Sequence, residues 1–86
     1  MTKQEMDFLS AALDAQDIEH EKREDYSGRA MYGEQTCGIV IDDPTCLIHA
    51  VARFMEREPG RQPPEELLSR DEGFRTDDMG LGTIIY

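Results

Sequence analysis

Thr36-Cys37-Gly38-Ile39-Val40-Ile41 runs directly into Asp42-Asp43-Pro44, and that junction decides the fold. The first six residues are short, mostly β-branched and nearly all apolar, the composition of a central strand. Asp43 then reads as a helix N-cap and Pro44 as the first helical residue. Leu47, Ile48, Val51, Phe54 and Met55 recur at helical spacing and give this helix an apolar stripe. It runs to about Arg57 and stops before Pro59-Gly60.

Upstream, Thr2 to Gln16 is a helix. Thr2 and Glu5 form a capping box, and Met6, Leu9 and Leu13 make a stripe widened by Phe8 and Ala12. Ile18 to Glu24 alternates with a period of two. Glu19, Glu21 and Arg23 would share one face, and Ile18, His20 and Lys22 the other. Charge on a strand suits an edge, because it deters pairing with another chain; a helical continuation competes with this reading. Tyr26-Ser27-Gly28-Arg29-Ala30-Met31-Tyr32-Gly33 is either a long hairpin connection or a bent strand with bulges.

Downstream, Arg61 to Pro64 is a linker and Pro64 to Arg70 one or two helical turns. Asp71 to Gly73 is a loop, and Phe74-Arg75-Thr76 begins a strand piece. Asp77 to Gly82 is a second glycine-rich bend, and Thr83 to Tyr86 a closing strand. The expected architecture is one α+β domain over residues 1–86. Its antiparallel sheet has three strands, with a fourth piece at Phe74, and two main helices on one face; the order is α-β-β-α-(short α)-β.

The chain has 86 residues, with 9 Lys plus Arg against 19 Asp plus Glu, a formal net charge of −10. A domain this small has a thin core, burying about 60–65% of its unfolded surface, and has no room for a two-lobed catalytic cleft. The acidic excess disfavours direct contact with nucleic acid or an anionic membrane. It favours a basic protein partner, or serves solubility alone. No apolar run has the length of a signal peptide or a membrane span. Cys37 and Cys46 therefore read as reduced thiols, and the cytoplasm as the compartment.

Little points to chemistry. His20, Cys37, Cys46 and His49 are the candidate metal ligands, but only Cys46 and His49 are closely spaced, and a structural zinc needs four ligands. Cys46 near a helix N-terminus has the position of an activated thiol, yet Asp42-Asp43 beside it opposes thiolate formation. Gly80-Leu81-Gly82 is followed by no helix, so it is no dinucleotide fingerprint. The expectation is a chain with no catalytic residue, no metal and no cofactor.

Glycines interleaved with aromatics, methionine and arginine make better contact surfaces than active sites. Should the two glycine-rich segments meet, Tyr26, Ser27, Arg29, Met31, Tyr32 and Met79 form one patch. Alternatively the glycines serve sharp bends and the tyrosines pack on the sheet. A second surface is acidic: Glu19 and Glu21, about 6.6 Å apart on a strand, extended by Asp14, Asp17, Glu24 and Asp25.

Residues 26–33 together with Asp78-Met79-Gly80-Leu81-Gly82-Thr83-Ile84-Ile85-Tyr86 resemble a double motif of small bacteriophage and prophage proteins. Those proteins more often carry glycine where this chain has Ala30. The resemblance implies a phage origin and, by analogy, a non-enzymatic inhibitor of host defence of the anti-CRISPR kind. Its expected partner is a host protein or nucleoprotein complex with a basic surface, reached through the acidic face. The alternative is a small-ligand binder, with nucleotide phosphate held by the glycine-rich loops and Arg29. Homodimerisation is open to a domain with so thin a core.

Overall fold

The computed structural model describes residues 1–26, 36–69 and 73–86. Its elements in chain order are α1 (Lys3–Ala15), β1 (Glu21–Tyr26), β2 (Thr36–Ile41), α2 (Thr45–Arg57), α3 (Glu65–Leu68), β3 (Thr76–Asp78) and β4 (Thr83–Ile85). The four strands form one antiparallel sheet in the order β1-β2-β4-β3. The α+β class holds, and β2 is central. The fourth strand is complete, two residues beyond Phe74. Mutual backbone bonds between Arg75 and Tyr86, at 3.0 and 2.8 Å, extend its pairing. Asp77 and Asp78 thus belong to a strand, and the glycine-rich bend shrinks to residues 79–82.

The capping box of α1 is formed: Glu5 N–H donates to Thr2 Oγ1 at 3.1 Å and Thr2 N–H to Glu5 Oε1 at 3.0 Å. At its other end Ile18 N–H donates to Leu13 O and Asp17 N–H to Asp14 O. This pattern needs a left-handed residue after the cap, and Asp17 supplies it with φ 55°. The turn delays the next strand, so β1 begins at Glu21 and not at Ile18. Helix α2 starts one residue later than expected. Pro44 is its cap residue, and Asp43 Oδ1 accepts from the Thr45 hydroxyl at 2.7 Å and the Thr45 amide at 3.0 Å.

Alternation along the strands gives the sheet two faces. Ile39, Ile41 and Ile85 turn towards α1, where they join Met6, Leu9 and Leu13 in the core. α1 is the helix that lies on the sheet; α2 packs against α1 through Leu47, Ala50 and Phe54. Phe8 and Phe54 meet edge to face at 5.6 Å, and the Arg61 guanidinium sits 5.1 Å over Phe54. The apolar stripe of α2 is only partly used. Ile48 and Met55, expected inside, are 74% and 41% exposed.

Val40, Gly38, Ile84 and Tyr86 occupy the far face of the sheet. Ile84 is fully buried there. It lies across Gly38, where an added Cβ would stand 2.8 Å from Ile84 Cδ1. Among the described residues no helix is long and apolar enough to cross a membrane.

Candidate interaction surface

An irregularity in β1 sets the far face. Arg23 pairs with Gly38 and Tyr26 with Thr36, so three residues of β1 span two of β2. This is a β-bulge, and the extra residue inverts the alternation beyond it. Tyr26 is thereby turned onto the face away from the helices. The Cys37 amide bonds instead to Met1 O at 3.2 Å, and the Cys37 thiol reaches Glu24 O at 3.8 Å.

On that face the Tyr26 hydroxyl donates to Asp77 Oδ2 at 2.6 Å, and the Tyr86 hydroxyl donates to the same oxygen at 3.1 Å. The two rings are 5.0 Å apart and tilted by 59°. One carboxylate thus gathers two phenols from different strands. Tyr26 is accordingly a strand-end residue tied to the sheet, not part of a free loop.

The strand ends divide the residues expected in one loop patch. β1 ends and β2 begins at the end of the sheet where Tyr86 lies, whereas the turn carrying Met79 joins β3 to β4 at the opposite end. Tyr26 and Met79 therefore do not share a patch. Ser27, Arg29, Met31 and Tyr32 lie outside the described residues. In the bend itself, Gly80 takes φ 84°, Asp78 Oδ1 accepts from its amide at 2.8 Å, and Leu81 at the tip is almost fully exposed.

The acidic residues divide as well. Glu21 faces Arg23 on the far face at 3.3 Å. Glu24, in the bulge, lies 3.7 Å from Lys3 on the helix side, and Asp25 is exposed beside it. Lys22 pairs with Asp7 of α1 at 3.7 Å. Glu19 lies two residues before β1 begins at Glu21, outside the paired strand on which the Glu19–Glu21 row was expected. Asp14, Asp17 and Glu19 are exposed together near the turn after α1. This is the sheet end where β2 runs out into Asp42-Asp43 and β3 into Asp78. Thr83 pairs with both Ile41 and Asp78 in one row, and a Cβ at Gly82 would lie 3.5 Å from Asp42 Oδ1. No Lys or Arg among the described residues forms a salt bridge with Asp17, Glu19, Asp42, Asp43 or Asp78. The hydrogen bonds from the Thr45 hydroxyl and then the Thr45 amide hold the Asp43 carboxyl below the usual carboxylate range. The antiparallel pairing of the four strands brings Asp42, Asp43 and Asp78 to the same end of the sheet as Glu19.

The sequence also concealed a Ser10–His20 contact. His20 Nδ1 lies 2.8 Å from Ile18 O, so this nitrogen carries a proton and donates. Nε2 lies 2.7 Å from Ser10 Oγ, and Asp14 Oδ1 is 3.7 Å from Nε2. The hydroxyl is within reach of a base, but Ser10 is buried in mid-helix, where amide hydrogens are spent on the helix itself. The pair can fasten the turn after α1 to the helix. Ten residues separate the partners, and no spacing rule flags them.

Cys46 packs at the margin of the core while His49 is exposed. Among the described residues, no group of three or more His, Cys, Asp and Glu could hold a metal ion. Gln16 Nε2 is buried without a hydrogen-bond partner among the described residues; it lies in a cleft with Ile18, Cys46, His49 and Arg53. In comparisons with known proteins the chain matches no family model, no curated sequence and no solved structure.

Proposed function

We propose that the chain is a non-catalytic, phage-encoded inhibitor of host defence that covers a basic, nucleic-acid-binding surface of a host protein. The observation that supports this most is the acidic rim at one sheet end. Asp17, Glu19, Asp42 and Asp78 come from the turn after α1 and the ends of β2 and β3, and all are exposed.

A protein that grips duplex DNA is built to meet one negative charge about every 1.7 Å of helix axis. Carboxylates fixed on strand ends and turns meet the same lysines and arginines without paying to order a flexible segment. Such charge mainly speeds encounter and selects the partner. Three cations of this chain, Lys3, Lys22 and Arg23, are engaged with Glu24, Asp7 and Glu21 and not with the rim acids. The turn at residues 79–82 carries exposed Leu81 and Met79 beside the rim, and these add apolar contact area.

The test replaces four rim acids at once: Asp17→Asn, Glu19→Gln, Asp42→Asn and Asp78→Asn. Asparagine at position 78 keeps an oxygen for the Gly80 amide. Affinity for a host protein captured by the wild-type chain should fall at least tenfold and lose much of its salt dependence. A control, Glu65→Gln with Glu66→Gln on α3, should bind as wild type. Equal binding by the rim variant, or equal loss in the control, contradicts the proposal.

A further inference from the structure

The outward side of α2 is unused by the fold. Its buried side is Leu47, Ala50 and Phe54, while Ile48, His49, Ala52, Met55 and Glu56 are all exposed. Ala52 lies on the side opposite the core, and the other four are arranged symmetrically about it. Ile48 stands about 6 Å before Ala52 along the axis and Met55 about 4.5 Å after it, both on one flank. On the other flank His49 stands about 4.5 Å before and Glu56 about 6 Å after.

We infer that this face of α2 pairs with the same face of a second copy, the two helices antiparallel about a two-fold axis beside Ala52. That operation sends each position to the mirrored height on the same flank. Ile48 of one chain then rests on Met55 of the other, and each imidazole meets the opposite Glu56. An imidazole N–H donates to a carboxylate whether the ring is neutral or charged, so the contact does not wait on pH. Ala52 at the axis lets the backbones approach. A parallel pair would exchange the flanks and set Ile48 against His49, leaving neither matched. The self-complementarity singles out a second copy over an unrelated partner. One helix pair covers less than the ~800 Å² per partner of a standard interface, so the dimer depends on concentration.

Sedimentation of the full chain from about 10 μM to about 1 mM reads this directly. The mass should rise towards twice that of one chain. Ile48→Asp with Met55→Asp should abolish the rise while leaving the circular dichroism unchanged, since both residues are exposed. Glu56→Arg should weaken association, and adding His49→Glu should restore it. In a Cys37→Ser, Cys46→Ser background, chains with Ile48→Cys should oxidise onto chains with Met55→Cys faster than onto themselves. A single-chain mass throughout, association that survives the double aspartate change, or faster self-linkage would each overturn the inference. If the Cys-free background is unfolded by circular dichroism, the aspartate and charge-exchange variants decide.

Discussion

Tyr26 on one edge strand donates its hydroxyl to Asp77 on the other edge strand, at 2.6 Å and across 51 residues of chain. The bond spans the face on which Ile84 is buried, and Tyr86 donates to the same carboxylate oxygen. The bulge in β1 makes it attainable, because regular alternation would have turned Tyr26 towards α1. Tyr26→Phe should lower unfolding free energy in urea by about 1.5 kcal/mol, the scale of a bond to a charged acceptor. Combined with Asp77→Asn the losses should be less than additive. An unchanged midpoint in the single variant would show that the bond adds nothing.

Asp17 holds a left-handed conformation that glycine adopts at no steric cost. Asp17→Gly should therefore raise stability by about 0.5–1 kcal/mol, read by denaturant unfolding. The same change removes a rim carboxylate, so it should weaken partner binding even as it stabilises the fold. Parallel loss of both would mean that Asp17 is a structural residue.

Removing the α1 cap should be costly because it withdraws the oxygen that the Glu5 amide needs. Thr2→Ala is expected to destabilise by about 1 kcal/mol, and Thr2→Ser by much less. Glu5 is fully buried, so Glu5→Ala should cost more than Thr2→Ala, with thermal melting as the readout.

Asp43 has a folded pKa below its unfolded value. A depressed acid contributes stability above the unfolded pKa and loses it as pH falls through the folded one. Asp43→Ala should melt at a lower temperature than wild type at neutral pH. The gap should close only below the ordinary carboxylate range. A gap that closed near pH 7, or widened in acid, would contradict the hydrogen bonds from Thr45 as its source.

Gly38→Ala places a methyl where Ile84 Cδ1, Ile84 Cγ1 and Ile85 O all lie within 3.0 Å. Overpacking of this kind costs about 1–3 kcal/mol. Ile84→Ala added to it should relieve part of the cost, which a double-mutant cycle in urea would detect.

Local chemistry announced some of this fold. Thr2 with Glu5, the run from Thr36 to Ile41 and the proline at 44 each act through neighbours a few residues away; α1 and β2 formed where those residues put them, and α2 began one residue later, with Pro44 as its cap. What required the whole chain stayed hidden. His20 alternates like a strand residue, yet its ring is taken by Ser10 and Ile18 O, and β1 starts after it. Glu24 looks like its acidic neighbours until Lys3 is brought beside it. The helical period of Leu47, Ile48 and Met55 shows that α2 is amphipathic, but not how wide a stripe a thin core will cover. The acidic surface was legible as charge and illegible as place. Asp42, Asp78 and Glu19 come to one end of the sheet only through the antiparallel order of the strands.

Competition with DNA tests the central claim most directly. A host protein captured by the wild-type chain is titrated with duplex DNA while the labelled chain is followed by fluorescence anisotropy. DNA should displace the chain from a shared basic surface, with an apparent affinity that weakens as salt is raised, and the rim variant should be displaced at far lower DNA concentration. Simultaneous binding of DNA and chain, or a captured protein that holds the rim variant as tightly as the wild type, would contradict the account.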